Sequence, residues 1–472
     1  MVKKILMVCL LTFFSIALIS CDEFNDILEQ PSTEEPSEYV KEISTFDRLF
    51  DDIKYRKITI SVEQDEWLKL DEALREHEMN FGNIKTDEYI LADMIYEDED
   101  GEVQIDHIGL RTRGNLSVTY LLDDNGDINM NNFKINFRED FDGLYPENDG
   151  RRGFDLKELD MKWNRNYDET YLTESYALNM MNHFDVYAAE TTHFILSFVI
   201  DGEETVMGLY TGFEPIDDEF FETRLSKSEQ DGDLYKSLWQ QNGPATLETI
   251  YDSRAIGIRD VSSNYLPSYA LKTNKDTADI SDFTDFIDHI NTLEGDAFEA
   301  YIETHFDVTS FLRLLAVNVF IGNPDDYRAM GNNYYMYQYA HNDMWTMIPY
   351  DFDHGLGQGW WEQNVYPNYT IGVDVYTWFN LNNAITDQTY THPLSDKILA
   401  NETYKDIYTT YLNDILEDEY FTETYFMEEF NALKEAFENT FDDALDHQEF
   451  GLRNVISYIN EKRADVDQQI NG

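Results

Sequence analysis

Cysteine is almost absent from the 472-residue chain, which carries only Cys9 and Cys21. That is too few for a disulfide framework or a four-cysteine zinc site. Basic residues are scarce too: 34 Lys and Arg stand against 94 Asp and Glu, a formal charge of −60. So acidic a surface repels phosphate backbones, which excludes general nucleic-acid binding. It equally repels anionic lipid, so membrane attachment has to come from something other than a basic patch. The charge names no substrate; it serves solubility, as in a salty medium. No His set characteristic of a metal-dependent hydrolase is present, and there is no internal repeat. What the chain does have is 42% hydrophobic and 15% aromatic residues. That is enough for a substantial core and excludes wholesale disorder.

Lys3 and Lys4 precede an apolar run from Ile5 to Ile19, too short for a comfortable transmembrane helix. Residues 1–20 therefore read as a signal peptide. The run ends Leu18-Ile19-Ser20-Cys21, which resembles the bacterial lipobox, where the cysteine is lipidated and becomes the mature N-terminus. This reading expects an extracytoplasmic protein anchored to the membrane only through the lipid on Cys21. Cys9 leaves with the signal, so no disulfide, thiol nucleophile or cysteine zinc site remains, and stability rests on packing. Residues 21–45 are acidic and polar, with Gln30-Pro31-Ser32-Thr33-Glu34-Glu35-Pro36-Ser37 at their centre. That is the composition of a tether extended by self-repulsion.

Alternation predicts strands over 56–63, 89–96, 103–112, 132–137, 193–200 and 204–211. Helices are expected over 65–77 and 168–184, the latter carrying Leu172, Tyr176, Met180 and Phe184 as one buried stripe. Further on, 280–291, 296–304 and 308–322 read as helices, and 333–339 with 345–349 as a short strand pair. From 393 to 470 the chain reads as helical. The expected architecture is α+β and two-lobed, with a β-rich lobe over 46–215 and a mainly helical lobe over 216–472. A cleft between unequal lobes is a usual place for a ligand.

Three segments carry candidate chemistry. Arg111-Thr112-Arg113-Gly114-Asn115-Leu116-Ser117 ends a strand. There Gly114 lets the backbone turn with its N–H groups outward, and the arginines suit phosphate, or simply solvent. Lys134 sits on the polar face of an alternating strand, either solvated or aimed into a cleft; it would pair with Glu174 if the helix at 168–184 packs on that sheet. The strongest segment is Asn323-Pro324-Asp325-Asp326-Tyr327, then Asn332-Asn333-Tyr334-Tyr335, then Tyr350-Asp351-Phe352-Asp353. Oxygen ligands brought to two loop ends are what Mg²⁺ or Mn²⁺ requires. One Asp would act as base towards a hydroxyl and others would hold metal on phosphates, whereas chance clustering in so acidic a chain is the bland alternative. Asp123-Asp124-Asn125-Gly126-Asp127 has a Ca²⁺-loop flavour, but Ile128 and Lys134 fill positions such a loop reserves for Gly and Glu, so it reads as an acidic turn.

The order Arg-x-Arg-Gly-Asn, strand Lys, helix Glu, Gly208-Leu209-Tyr210…Glu214, Asn-x-Asp…Asn-Tyr-Tyr and Asp-x-Asp resembles the CotH family over residues 55–465. These are spore-coat-type kinases with an atypical protein-kinase-like fold. The resemblance implies transfer of the ATP γ-phosphate to Ser or Thr of secreted or surface proteins, with ATP and Mg²⁺ or Mn²⁺ as cofactors. It would give Lys134 the α/β-phosphates with Glu174 orienting it, and place Arg113, Gly114 and Asn115 at the phosphates. Glu214 would lie near the interlobe hinge. Asp325 or Asp326 would be the catalytic-loop Asp, Asn333 or Asn332 its metal-binding companion, and Asp351 or Asp353 the metal Asp. A competing reading is a non-catalytic protein- or glycan-binding module, using Trp360, Trp361, Tyr366, Tyr369, Tyr376 and Trp378 as a platform.

Overall fold

Alternating apolar residues build the first half of the fold. In the computed structural model, residues 42–438 and 452–472 are described, apart from Tyr167, Ala278, Asp343, Trp361 and Glu362. The signal peptide, Cys21 and nearly all of the tether lie outside the described residues. The first strand, β1 (Glu42–Ile43), pairs in parallel with β6 (Arg152–Gly153). Seven others close a barrel in the order β2 (Lys57–Val62), β3 (Ile90–Asp98), β4 (Gly101–Thr112), β5 (Phe133–Asn136), β7 (Glu158–Trp163), β9 (Glu203–Phe213) and β8 (Thr191–Ile200). Every neighbouring pair is antiparallel except β2 and β8, which close the barrel in parallel.

The strand period of two sends Ile58, Ile60 and Val62 of β2, and Phe133 and Ile135 of β5, into the apolar interior. After α1 (Phe46–Phe50), the longer α2 (Gln64–Phe81) adds Trp67, Leu70 and Leu74 to that core. The Trp67 and Phe133 rings each lie 4.9 Å from Phe198. The same alternation puts charges on the other face. Arg111, Lys134 and Asp160 are cross-strand neighbours in one row of β4, β5 and β7. On β7, Glu158, Asp160 and Lys162 alternate with buried Leu159 and Met161.

A second sheet runs β11 (Ile256–Gly257), β12 (Tyr269–Leu271), β10 (Leu234–Ser237), β13 (Tyr334–Gln338) and β14 (Trp345–Pro349). The helices α3 (Thr173–His183), α4 (Asp218–Glu222), α5 (Ser281–Thr292), α6 (Asp296–His305), α7 (Val308–Ile321), α8 (Tyr327–Met330), α9 (Leu381–Ile385), α10 (Pro393–Ala400), α11 (Glu402–Glu417) and α12 (Glu423–Ala436) come with it, and Leu452–Asn471 is the C-terminal helix. The sheet's back, with Tyr235, Tyr334, Met336 and Met347, joins α3, α7 and the C-terminal helices in one apolar core. The α+β expectation thus corresponds to a barrel of seven strands plus a helical part with its own five-stranded sheet. Among the described residues no helix is long and apolar enough to cross a membrane.

Two expectations shift at α3 and α7. The helix expected from 168 begins at Thr173, because the Asp168 carboxylate accepts the N–H groups of Thr170 and Thr173, at 2.9 and 3.0 Å, and holds the intervening residues as a turn. Helix α7 stops at Gly322, whose left-handed backbone (φ 67°) donates its N–H to Asn318 O at 2.8 Å. A Cβ there would collide with the Tyr458 hydroxyl and Thr370 Oγ1. Gly322→Ala is therefore expected to lower stability by about 2–4 kcal/mol, from left-handed strain plus overpacking, read as a denaturant midpoint. A shift below about 0.5 kcal/mol would show that the turn relaxes at little cost.

Candidate functional site

The β13–β14 hairpin sets Tyr334 opposite Pro349, so Asn333 and Tyr350 adjoin at its open end. The Tyr350 N–H donates to Asn333 O at 3.2 Å, and Asn323 Nδ2 donates to Asp351 O at 3.0 Å. Both Asn333 (φ 57°) and Asp351 (φ 63°) are left-handed, a conformation that Asn and Asp tolerate better than other side-chain-bearing residues. Two loops far apart in sequence are stapled together this way.

Asp325 sits in the staple. Its Oδ1 accepts from Asn332 Nδ2 at 2.8 Å and its Oδ2 from Asn333 Nδ2 at 2.9 Å. Burial raises its pKa well above the usual carboxylate range; the Asn332 amide opposes this, and the nearby charges of Asp351 and Asp353 add to it. Asp326 is used differently. Its Oδ1 caps α8 at the Ala329 N–H, 2.8 Å away, while Oδ2 is buried without a partner beside a small void that Asn318 also lines. Burial pushes its pKa up to about 6.

The lysine at this site is Lys162. Its Nζ lies 2.7 Å from Glu174, 2.7 Å from Asp351 and 3.1 Å from Asp353. Burial alone would depress the ammonium, but those three carboxylates outweigh it and hold its pKa well above ordinary. Burial in turn raises Glu174, with Asp351 and Asp353 adding to the rise and Lys162 opposing it. The connection from β7 to α3 is pinned: Asn164 Nδ2 donates to Asp168 O at 2.7 Å, and the Asp168 N–H donates back to Asn164 Oδ1 at 2.9 Å. Glu174 then falls in the first turn of α3.

The expected Lys134–Glu174 pair is not made. Lys134 pairs instead with Glu158 and, at 3.1 Å, with Asp160, its direct cross-strand neighbour. Glu174 follows β7 by a short pinned turn, so it reaches the lysine at the end of β7 and not the one on β5. The strand Glu158–Trp163 is not among those expected from the sequence, although Glu158, Asp160 and Lys162 alternate with Leu159 and Met161 over its length. That alternation was the available signal.

The other expected residues divide. Arg113 is within 3.2 Å of Asp160 and in the field of Asp351 and Glu174, hence close to the group. Gly114 (φ 139°) makes a turn in which a Cβ would strike Ser117 Oγ. The Asn115 carbonyl and Oδ1 accept from Lys85 Nζ at 2.8 and 3.1 Å, and Gln240 Nε2 donates to the same Oδ1 at 3.2 Å. Lys85 and Gln240 thus tie the turn down. Asn332 is committed on both ends, its Oδ1 accepting the Trp239 N–H at 2.7 Å.

Glu214 is committed to an arginine. It is buried with both oxygens on Arg224, at 2.8 and 2.6 Å, and accepts the Glu190 N–H as well. Glu214→Ala is expected to cost about 2–4 kcal/mol by leaving the half-buried Arg224 guanidinium without its carboxylate, with ligand affinity of the folded protein unchanged. Chemical denaturation alongside calorimetry checks both halves. The Asp123 turn closes on itself, Asp123 Oδ1 accepting the N–H groups of Asn125 and Asp127. Of the aromatic platform, Trp378 is buried under Arg328 and Lys462, Trp360 stacks on His354, and Tyr366 and Tyr369 are exposed. Trp361 is outside the described residues.

A strand lysine held by a helix glutamate and an Asp-x-Asp turn, beside an Asp fixed by two asparagines, is a kinase-like arrangement. Residues 110–467 match the family model described as CotH kinase protein, and the chain belongs to that family. Among solved structures, the Helicobacter pylori proinflammatory kinase CtkA shares 9% identity with this chain, covers 66% of it and 89% of its own length, and has a TM-score of 0.24. No curated protein matches.

The family implies ATP and divalent-metal use in general, and the donors here fit a hard cation. Glu174, Asp351 and Asp353 crowd a single ammonium, and Asp325 lies in the field of the two aspartates, an excess of negative charge that a divalent ion would relieve. Asn333 commits its amide nitrogen to Asp325 and keeps its Oδ1 free of hydrogen bonds among the described residues. Among those residues no three His, Cys, Asp or Glu side chains stand at metal-holding separations. Mg²⁺ commonly takes one or two carboxylates and completes its shell with phosphate and water.

Proposed function

We propose that the chain is a metal-dependent protein kinase that moves the ATP γ-phosphate to Ser or Thr of secreted or surface proteins. The single observation that carries this is the grip of Lys162 by Glu174, Asp351 and Asp353. In this reading Lys162 neutralises the α/β-phosphates, oriented by Glu174, and the Arg113–Asn115 turn, tied by Lys85 and Gln240, covers them. Asp325 accepts the proton of the acceptor hydroxyl as its oxygen bonds to the γ-phosphorus and the bond to ADP breaks. A carboxylate whose pKa is raised by burial is the stronger base for that step. Asp351, Asp353 and Asn333 Oδ1 would hold Mg²⁺ or Mn²⁺, which when bound neutralises phosphate charge.

Location and partner belong to the same proposal. The signal peptide and the Leu18-Ile19-Ser20-Cys21 sequence support a lipid-anchored, extracytoplasmic protein, which would meet secreted or surface proteins as acceptors. The test is incubation of the purified full-length chain with labelled ATP and Mg²⁺ or Mn²⁺, with itself and acidic phosphoacceptor proteins as targets. Label that appears only with metal, and disappears in Asp325→Asn, supports the reading. No nucleotide binding by calorimetry would sink it.

A further inference from the structure

The face of the second sheet nearest the site carries two cations that no family motif accounts for. Lys236 on β10 is the cross-strand neighbour of Tyr335, and its Nζ lies 4.4 Å from the Tyr350 ring and 5.6 Å from the Tyr335 ring. Lys272 follows β12 and donates its N–H to Leu234 O at 2.8 Å. Because Ala270 opposes Lys236 in the register, Lys272, two residues on, points to the same face. Across from them is the charged face of the barrel. Lys236 feels Arg113, Asp160 and Asp351, and Lys272 feels Lys134, Glu158 and Arg111.

Among the described residues neither lysine has a carboxylate at ion-pair distance. In a chain of charge −60, Lys236, half-buried beside Arg113 with no acid at ion-pair distance, is costly without an anion, and the exposed Lys272 adds a second cation on the same face. Burial and that like charge hold Lys236 well below an ordinary lysine. The site is thus polarised. Three carboxylates around Lys162 make its metal end negative, while Arg111, Arg113, Lys134, Lys236 and Lys272 outnumber Asp87, Glu158 and Asp160 next to it. A cation-bound polyphosphate has the matching polarity.

We propose that Lys236 and Lys272 form the floor of a polyphosphate subsite, opposite Arg113, that holds the phosphate chain of the nucleotide donor. This rests on the kinase reading for the nucleotide, but not for the anion. Lys236 is delivered by the sheet that also carries Asn333 and Asp351 at its hairpin end, so one rigid element would position both the metal ligands and the phosphates.

The test is calorimetry on the full-length chain with Mg²⁺–tripolyphosphate, Mg²⁺–ATP and adenosine. Lys236→Met and Lys272→Met should each weaken both polyphosphates about tenfold, and the double variant about a hundredfold, with adenosine unaffected. Lys236→Arg, which keeps the charge, should recover most of the affinity. Lys272 is exposed, so its variant reports even if Lys236→Met misfolds. Affinities for both polyphosphates within twofold of wild type in well-folded Lys272→Met overturn the subsite, and so does an unaltered double variant. If tripolyphosphate binds in a Lys236-dependent way but no phosphate is transferred from ATP, the subsite stands and the kinase reading falls. If ATP binds and turns over regardless of both lysines, the reverse holds. If neither polyphosphate binds to the wild type, both are overturned.

Discussion

Lys162→Met is expected to reduce phosphotransfer by about 10²–10³-fold, the usual loss when one preorganised group that stabilises transition-state charge is removed. Part of any loss will be structural, because Glu174, Asp351 and Asp353 lose their shared cation. Leaving these half-buried carboxylates without their cation costs about 1–3 kcal/mol, less than at a fully buried pair. Lys162→Arg separates the two contributions. The guanidinium keeps the charge, and hence most of the melting temperature, but its planar fork is unable to present the compact ammonium geometry to Glu174 and the Asp-x-Asp turn together. Transfer should stay low in Lys162→Arg while the melting curve recovers. Lys134→Met is the comparison: its partners are Glu158 and Asp160, so it should act mainly on nucleotide affinity and leave turnover at saturation largely intact. A fully active Lys162→Arg, with Lys134→Met as inactive as Lys162→Met, would return the central role to Lys134.

The adjacent pair Asp325 and Asp326 should separate just as clearly. Asp325→Asn removes the proposed base and is expected to cut transfer by about 10²–10⁴-fold with nucleotide binding retained. Asp326→Asn should leave transfer near wild type and raise stability at neutral pH. Asp326 has a folded pKa near 6 against an unfolded 3.8. The folded state therefore holds this proton more tightly, and stability falls as the pH rises from about 4 to 6 and stays lower above that. The difference of roughly two units is worth about 3 kcal/mol. An asparagine still accepts the Ala329 N–H as a helix cap but has no charge to bury. Thermal melts of both proteins at pH 4 and pH 7.5 give the answer: no difference at the lower pH, a higher midpoint for Asp326→Asn at the higher. A variant that melts normally and no longer transfers phosphate would instead make Asp326 catalytic.

The readable part of this fold was whatever one strand or helix decides by itself. Ile58-Thr59-Ile60 and Phe133-Lys134-Ile135 show their faces by alternation, and α7 is a nearly uninterrupted apolar run. The order Asp325, Asn333, Asp351 was visible, and so was Glu174 on a helix. Partners were harder to see. Which lysine meets Glu174 depends on the register of β5 against β7 and on the length of a pinned turn, and neither is written in local pattern. Half the residues of Glu158–Trp163 are charged, which weakens its alternation as a strand signal. The role of Glu214 turned on Arg224 ten residues later, a side-chain contact with no periodic trace. The division between Asp325 and Asp326 came from a helix of four residues, too short to signal its own cap.

The parallel seam between Lys57–Val62 and Ile195–Ile200 sets the order of events in folding. The first strand of the barrel has its final neighbour only after well over a hundred further residues have been made. Contacts so remote in the chain slow the search for the native state. Until then Ile58 and Ile60 sit on an open edge able to pair with another molecule. A chain that emerges N-terminus first therefore exposes Ile58 and Ile60 long before Ile195–Ile200 can cover them.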